Sequence, residues 1–164
     1  MKKRKNIKNL ILDVDGVLTT GQFLYTNEGK FAKIFGAHDN DGIKLIGKLL
    51  NIHVISADKR GFGITRKRVV EDMHLKLEFV GEDNRLNWLK KNFNLAETIY
   101  IGDGIHDAVI FDHVAYSIAP ANAFYLARDR ANFVTSHRAG EGAVAEACLH
   151  IIEKFFKLKT KARK

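Results

Sequence analysis

Short apolar runs alternate along the chain with segments in which apolar residues recur at helical spacing. The apolar runs that predict buried strands cover residues 10–12, 53–55, 79–80, 98–101 and 114–118. The segments that predict helices cover residues 42–50, 64–73, 84–92, 123–130 and about 142–156. Strands that alternate with helices indicate an α/β fold, a Rossmann-like parallel sheet with helices on both faces. Ligands of such sheets bind beyond the carboxyl ends of the strands.

One segment departs from this alternation directly after the first strand. Residues 23–25 and 30–35 favour two strands, and residues 26–29, which include an asparagine and a glycine, favour the turn between them. A regular α/β pattern would place a helix at this point, so we predict an inserted β-hairpin. Because the hairpin follows the loop of the first strand, we expect it to project over the mouth of a site at the carboxyl edge of the sheet.

Length and composition are those of a globular protein. We interpret the 164 residues as a single domain, 1–164, with basic tails at about 1–6 and 157–164. Apolar residues make up 46% of the chain, and no apolar run approaches the roughly 18 residues that a membrane-spanning helix needs. No apolar signal region follows the charged residues 2–5, so we expect a cytoplasmic protein without membrane association, and the single cysteine, Cys148, agrees with a reducing compartment. The net charge of +8 lies partly in the two tails, where solvation explains it more simply than nucleic-acid binding.

The motif with the most chemical content is Asp13-Val14-Asp15-Gly16, which follows the first strand. Two carboxylates that are two residues apart point to the same side of an extended chain. Gly16 permits a tight turn in which backbone N–H groups can face an anion. A buried pair of like charges is costly unless a cation or a proton compensates it. Oxygen-only ligands favour Mg²⁺ as that cation.

A second acidic motif follows the strand predicted at 98–101. It contains Asp103 and Asp107, which could simply cap the helix that comes next. The carboxyl ends of parallel strands share one edge of the sheet, so this motif is expected to meet the first one. Four carboxylates at two strand ends favour a metal site over helix capping alone.

Two further side chains are placed at the same edge by the predicted elements. Ser56 ends the strand at 53–55 and can offer a hydroxyl group to a phosphate oxygen. Arg85 opens the helix at 84–92 and can offer a positive charge. Taken alone, each has a simpler explanation, because a serine often ends a strand and an arginine in a first helical turn is often solvated. Both gain weight only from their position relative to the aspartates.

In this order the residues resemble the four motifs of the haloacid dehalogenase superfamily of phosphatases. Residues 13–16 are similar to the first motif, Ser56 to the second, Arg85 to the third and residues 102–107 to the fourth. The family more often has lysine at the third motif but also uses arginine, which keeps the charge. The resemblance covers nearly the whole chain and implies Mg²⁺-dependent phosphoryl transfer.

The resemblance also implies a role for each matched residue. Asp13 attacks phosphorus and forms an aspartyl-phosphate, while Asp15 protonates the leaving oxygen and later deprotonates the hydrolytic water. Mg²⁺ is bound by Asp13, the backbone carbonyl of Asp15 and Asp103. The remaining matched residues have phosphate-binding and supporting roles, and these are Ser56 and Arg85 for the phosphate and Asp107 for support of the site.

The chain further resembles the capless branch of that superfamily, which is typified by 3-deoxy-D-manno-octulosonate 8-phosphate phosphatase. Only the hairpin separates the first motif from the first crossover helix, and the interval between Ser56 and Asp103 has room for core elements only. Members of this branch form tetramers in which the hairpin and the neighbouring subunit cover each site. The resemblance therefore implies a small phosphorylated sugar acid as the substrate and a homotetramer as the assembly.

The sequence departs from the octulosonate pattern at the second motif, where Ser56-Ala57-Asp58 replaces Thr-Gly-Arg. An acidic residue at position 58 is expected to repel the carboxylate of the sugar acid, and phosphatases of nonulosonate 9-phosphates can carry one. The substrate therefore stays open between an octulosonate 8-phosphate and a nonulosonate 9-phosphate. The candidates for specificity residues are Asp39, Asp58 and His106.

Two alternatives from other functional classes remain open. A catalytically silent scaffold with this fold would be indicated by the loss of Asp13 or Asp103, and both are present. A phosphatase of nucleic-acid ends would need a continuous basic groove that leads to Asp13, whereas the sequence shows basic ends. We therefore expect no nucleic-acid partner.

Overall fold

The computed structural model describes residues 6–158 and contains a six-stranded sheet and a two-stranded hairpin. The strands, numbered along the chain, are β1 Asn9–Asp13, β2 Thr19–Thr26, β3 Gly29–Phe35, β4 Asn51–Ser56, β5 Lys76–Phe79, β6 Thr98–Ile101, β7 Tyr116–Ala119 and β8 Phe133–Val134. The α-helices are α1 His38–Ile46, α2 Phe62–Arg66, α3 Arg85–Asn92, α4 Ile105–Phe111, α5 Tyr125–Arg130 and α6 Ala143–Ile151. The predicted basic tails, about 1–6 and 157–164, lie almost entirely outside the described residues.

All neighbouring strands of the larger sheet run parallel, in the order β5-β4-β1-β6-β7-β8. β1 lies between β4 and β6, and its last residue, Asp13, is opposite Ile55 of β4. The residues that follow β1, β4 and β6 therefore meet at one edge of the sheet. The predicted α/β fold, with a parallel sheet and helices on both faces, is confirmed.

β1 distributes its side chains between two apolar cores. Leu10 and Leu12 belong to the core on one face and Ile11 to the core on the other, and all three are fully buried. The first core is closed by α1, α6 and the helical segment that follows α2, and the second by α3, α4 and α5. This packing on both faces holds the central strand rigidly and so fixes the position of the loop that begins at Asp13.

β2 and β3 form the antiparallel hairpin that the sequence predicts after the first strand. Its turn includes Gly29, whose φ of +122° favours a residue without a Cβ. Lys33 is buried although it is charged, because the polar side of the hairpin lies over the carboxyl edge of the sheet. The exposed large apolar side chains of the hairpin are Phe23, Leu24, Tyr25, Phe31 and Ile34.

Several element boundaries differ from those that the pattern predicts. α1 begins at His38 rather than at residue 42, because the carboxylate of Asp39 in its first turn is buried against α6 and anchors it there. The strand predicted at 79–80 is shifted, since β5 ends at Phe79 and pairs with β4. The segments that continue α2 and α6 with π-helical geometry are Lys67–Asp72 and Ile152–Phe156. The pattern gave no bounds for α4 and β8.

The hairpin is the only insertion over the carboxyl edge within residues 6–158. Between β4 and β6 the chain forms α2, β5 and α3 with their connecting turns, which belong to the sheet and its crossovers. The expected absence of a cap domain thus holds for the described residues. No helix in this part of the chain is both long and apolar enough to cross a lipid bilayer.

Candidate active site

A cavity of about 670 Å³ opens at the carboxyl edge of the sheet, beside the hairpin. The loops after β1, β4 and β6 bring acidic side chains to it, and α3 and the hairpin bring positive charges. It is lined by Asp13, Asp15, Gly21, Phe23, Lys30, Ala57, Asp58, Glu82, Arg85, Asp103, Gly104, Ile105, His106, Asp107 and Phe124. Most of the site residues predicted from the sequence therefore meet in one place, whereas Ser56 and Asp39 are not on its wall.

Arg85 is the cation at the base of this cavity. It opens α3, and only 3% of its surface is exposed. Its Nη1 donates hydrogen bonds to Oδ2 of Asp13 and to Oδ1 of Asp107, both at 2.8 Å. One guanidinium thus connects the end of β1 with the first turn of α4, and it offsets part of the negative charge of both carboxylates.

Asp107 has both of its carboxylate oxygens fixed by hydrogen bonds. Oδ1 accepts from Arg85 and from the hydroxyl of Tyr100, the latter at 2.6 Å. Oδ2 accepts from the backbone N–H groups of Asp103 and Gly104, at 3.0 and 2.9 Å. Asp107 therefore shapes the loop that carries Asp103. Sequence reasoning missed Tyr100, for which the only signal was a phenolic hydroxyl between two isoleucines of a buried strand.

Three carboxylates, those of Asp13, Asp103 and Asp107, offer oxygen atoms that lie within 4.8 Å of one another. Burial raises the pKa of Asp13 to about 7, with a further increase from Asp107, although Arg85 opposes both effects. Burial also raises the pKa of Asp103 to about 8, and the neighbouring charges of Asp13 and Asp107 act in the same direction. Negative charge is thus costly at this point, and a hard cation with oxygen ligands would offset that cost.

The carboxylate of Asp15 is directed toward the hairpin rather than toward the other aspartates. Its Oδ2 accepts a hydrogen bond from Nζ of Lys33 at 2.9 Å, and its Oδ1 lies 2.8 Å from the same ammonium. The hydroxyl of Ser56 is a weaker donor to Oδ2, at 3.4 Å. Sequence reasoning missed Lys33, because nothing in a single strand shows which of its residues folds back over the sheet.

Asp58 is paired with two lysines of the hairpin. Its carboxylate forms ion pairs with Lys30 and, at 2.8 Å, with Lys33. Burial by itself would raise the pKa of Asp58, but the two ammonium groups outweigh that effect and lower it to about 2. The expectation that Asp58 repels an anionic substrate is therefore not supported, since positive charge surrounds this carboxylate.

The other predicted site residues have different surroundings. Ser56 is fully buried behind Asp15, and its hydroxyl also accepts a hydrogen bond from the backbone N–H of Asp58. His106 lies on the cavity wall, where its Nε2 is 3.3 Å from a carboxylate oxygen of Glu82. Asp39 lies apart from the cavity, because its Oδ1 accepts hydrogen bonds from backbone N–H groups at the start of α6. Its place in the specificity set is therefore corrected to a structural one.

The family that comparison with known proteins identifies agrees with the arrangement of the side chains in the cavity. A family model of haloacid dehalogenase-like hydrolases matches residues 86–148, which include the fourth motif and begin one residue after Arg85. The 3-deoxy-D-manno-octulosonate 8-phosphate phosphatase KdsC of Salmonella typhi is 34% identical over 154 residues, which cover 90% of this chain and 80% of that protein. The KdsC protein of Haemophilus influenzae is 35% identical over 150 residues, 88% of this chain and 82% of the relative.

Solved structures agree with these relatives. The cobalt-bound deoxy-D-mannose-octulosonate 8-phosphate phosphatase from Haemophilus influenzae superposes with a TM-score of 0.77 and 32% identity, over 93% of this chain and 91% of that one. The Moraxella catarrhalis enzyme, solved with magnesium, phosphate and KDO, gives a TM-score of 0.78 and 26% identity over 92% and 88% of the two chains. The chain therefore belongs to the haloacid dehalogenase-like hydrolases and, within them, to the family of 3-deoxy-D-manno-octulosonate 8-phosphate phosphatases.

Proposed function

We propose that the protein is a Mg²⁺-dependent phosphatase that hydrolyses 3-deoxy-D-manno-octulosonate 8-phosphate through an aspartyl-phosphate on Asp13. The observation that carries this proposal is the position of the Asp13 carboxylate. It lies beside the guanidinium of Arg85 and within the carboxylate cluster that includes Asp103. The cavity above it, of about 670 Å³, is in the size range of sites for small molecules.

Asp13 and Asp15 divide the chemistry between them. Asp13 attacks the phosphorus, so that a bond from phosphorus to its carboxylate forms while the ester bond breaks. The leaving sugar oxygen takes a proton from Asp15. Water then attacks the phosphorus of the aspartyl-phosphate and gives a proton to Asp15, and inorganic phosphate leaves. Both aspartates thereby return to their initial state, and the net reaction is hydrolysis of the ester.

The proposed ligands of Mg²⁺ are the carboxylates of Asp13 and Asp103 and the backbone carbonyl of Asp15. An all-oxygen set of this kind suits a hard divalent cation, and burial makes both carboxylate charges costly unless such a cation offsets them. When bound, the ion reduces the repulsion between the nucleophile and the phosphate. Asp107 has a supporting role, because both of its oxygens already accept hydrogen bonds from the protein.

Arg85 and Ser56 are the proposed phosphate-binding residues. Arg85 keeps its positive charge at all pH values relevant to the enzyme and stabilises the charge that is spread over the transferring group. Ser56 is the less direct of the two, since its hydroxyl contacts Asp15 at 3.4 Å and must rotate to reach the phosphate. Loss of Arg85 should therefore reduce phosphoryl transfer much more than loss of Ser56.

The sugar-acid part of the substrate fits the rim of the cavity, where Lys30 and His106 are candidates to face its carboxylate and hydroxyl groups. Because Asp58 is paired with Lys30 and Lys33, its charge does not oppose an anionic substrate. This pairing weakens the argument for a nonulosonate 9-phosphate, and the similarity to octulosonate phosphatases favours the 8-phosphate. Asp58 and His106 are the residues that we assign to specificity.

The hairpin supports the proposal of a homotetramer of single-domain subunits. Its exposed apolar side chains, among them Phe23 and Phe31 at 40% and 59% exposure, would be covered by a neighbouring subunit. A hairpin that lies over the carboxyl edge also brings such an interface close to the cavity. Sedimentation at working concentration tests this assembly, and a monomeric mass would contradict it. Residence in the cytoplasm remains a prediction from the sequence.

The experiment that tests the function is phosphate release from a panel of phosphate esters. The panel contains 3-deoxy-D-manno-octulosonate 8-phosphate, a nonulosonate 9-phosphate and a 3′-phosphorylated oligonucleotide, each with Mg²⁺ and with a chelator. We expect the highest kcat/KM for the octulosonate ester, with Mg²⁺ required and with activity lost in Asp13→Asn. Preference for the nonulosonate would change the substrate but not the chemistry, and no release from any ester would favour a catalytically silent scaffold.

A further inference from the structure

We propose that Lys33 of the hairpin is the residue that positions Asp15 for proton transfer to the leaving oxygen. The inference rests on the proposed phosphatase function and adds to it a residue that no sequence motif marks. Lys33 lies on β3, so it comes from the insertion rather than from the loops that follow the parallel strands. The hairpin would then complete the acid–base half of the site in addition to covering the cavity.

The ammonium of Lys33 is buried and lies within hydrogen-bond distance of three side chains. Its side chain has no exposed surface. Nζ lies 2.8 and 2.9 Å from the two carboxylate oxygens of Asp15, 2.8 Å from Oδ2 of Asp58 and 2.9 Å from Oγ1 of Thr65. Thr65, the residue before the last in α2, is itself fully buried. The three N–H groups of the ammonium thus face three side chains. Because the angles between these groups are fixed, two of the contacts set the direction of the third N–H group.

This arrangement restricts the carboxylate of Asp15. Both oxygens lie beside the same charge, so rotation of the carboxylate would weaken at least one short contact. A general acid must be protonated and must hold its proton within hydrogen-bond distance of the leaving oxygen, and a side chain that rotates freely meets that condition only part of the time. The ammonium favours the ionised form of Asp15, which is the form that accepts a proton from the hydrolytic water. Its contacts with Asp58 and Thr65 keep Nζ in place when Asp15 is protonated. Lys33 therefore acts on catalysis through the orientation of Asp15 and makes no contact with the substrate.

A simpler explanation would be that Lys33 only attaches the hairpin to the rest of the protein. A buried ammonium that pairs with two carboxylates is suited to either task, so contacts alone do not separate them. The two explanations differ in which substrates they affect. A change in general-acid catalysis slows esters with poor leaving groups and spares those whose leaving group departs without a proton, whereas a loosened hairpin slows all esters alike.

The test measures kcat/KM for a series of substituted phenyl phosphates, from phenyl phosphate to dinitrophenyl phosphate, in wild type, Lys33→Met and Asp15→Asn. We expect Lys33→Met to lose about 10- to 100-fold with phenyl phosphate and less than about threefold with dinitrophenyl phosphate. Its dependence on the leaving group should approach that of Asp15→Asn. These esters carry no sugar acid, so the result is independent of how the natural substrate is recognised.

Lys30→Met is the matched control, because it removes a hairpin lysine that pairs with Asp58, and the structure assigns it no contact with Asp15. Its dependence on the leaving group should match that of wild type, whatever its overall rate. Thr65→Val provides a second variant should Lys33→Met fold poorly. It keeps the shape of the side chain, removes one partner of the ammonium and should show the same selective loss to a smaller extent.

Two results would overturn the assignment, and they are distinguishable. An equal loss by Lys33→Met on every ester, together with a steep leaving-group dependence in Asp15→Asn, would make Lys33 an anchor of the hairpin and leave the phosphatase function intact. Failure of the wild-type protein to hydrolyse both the phenyl phosphates and 3-deoxy-D-manno-octulosonate 8-phosphate in the presence of Mg²⁺ would remove both the function and the role of Lys33.

Discussion

Nη1 of Arg85 lies 2.8 Å from Oδ2 of Asp13, and both side chains are buried at the carboxyl edge of the sheet. The same nitrogen is equally close to Oδ1 of Asp107, so one cation pairs with the end of β1 and with the first turn of α4. Because a buried carboxylate is costly without a partner, Arg85 is both a part of the proposed catalytic site and a condition for its folding.

Substitution of Arg85 should therefore affect both stability and activity. In chelator at neutral pH, Arg85→Met leaves Asp13 and Asp107 without their cation and should lower the free energy of unfolding by about 3 kcal/mol or more. Arg85→Lys keeps the charge but loses the planar fork, so it should be less destabilised and retain part of the activity. Denaturant unfolding and kcat/KM provide the measurements. A methionine variant as stable as wild type would show that the ion pairs contribute little.

The carboxylate cluster predicts how stability depends on pH and metal. The pKa values of Asp13 and Asp103, about 7 and about 8 in the folded protein, lie above their ordinary value of 3.8. The folded state thus binds protons more tightly than the unfolded state, and stability from these groups is lost as the pH rises from about 4 through 8. In chelator the melting temperature should fall over this range.

Addition of Mg²⁺ should raise the melting temperature more at pH 8 than at pH 5, because protons compete with the metal for the same oxygens. Asp103→Asn is the control, since it removes one of the two raised pKa values and should flatten the profile measured in chelator. Equal stabilisation by Mg²⁺ at both pH values, or none at either, would contradict a metal site at this cluster.

Gly16 provides a test of the backbone that carries the cluster. Its φ is +80°, and a Cβ at this position would overlap the carboxylate of Asp103. We expect Gly16→Ala to displace Asp103 and to weaken Mg²⁺ binding and kcat by at least about tenfold, with a loss of stability of about 1 kcal/mol or more. Isothermal titration with Mg²⁺ measures the first effect. Gly63→Ala, at a helical position where a Cβ has open space, is a suitable control.

Glu146 of α6 predicts a separate loss of stability in acid. Burial alone would raise its pKa, but hydrogen bonds from the backbone N–H groups of Ser136 and His137, and from both side chains, lower it to about 2. A lowered pKa gives stability that is present above about pH 4.5 and lost as the pH falls toward 2. Glu146→Gln should cost about 1–2 kcal/mol at pH 7 and little at pH 2.5. An equal difference in the free energy of unfolding between wild type and Glu146→Gln at both pH values would argue against this network.

The sequence predicted most of the fold and most of the candidate site because both depend on local patterns. The apolar runs marked the central strands, and the aspartates stand directly after two of them, where a parallel sheet must bring them together. The hairpin was predicted as an element, but its orientation was not. Phe31 is 59% exposed and Lys33 is buried, whereas in most proteins the apolar side chain is buried and the charged one is exposed. The reason is that the hairpin covers a polar site rather than an apolar core.

The roles of residues whose partners are distant in the sequence were predicted less accurately. Asp39 was a candidate for specificity, yet it accepts hydrogen bonds from Val144 and Ala145, which are more than a hundred positions away in the chain. Asp58 was expected to repel the substrate because the sequence does not reveal its two lysine partners. Both lysines lie on the hairpin and come close to Asp58 only after folding. Such pairings are set by tertiary packing and cannot be derived from the spacing of residues along one segment.

The central claim is that Asp13 carries the phosphoryl group, and the most direct test is a rapid-quench experiment. Wild-type protein with Mg²⁺ is mixed with 3-deoxy-D-manno-octulosonate 8-phosphate that is labelled in its phosphoryl group. We expect the label on Asp13 to appear and decay at least as fast as turnover, and to be absent in Asp13→Asn and in chelator. Turnover without label on Asp13, or hydrolysis by Asp13→Asn at the wild-type rate, would contradict the proposed mechanism.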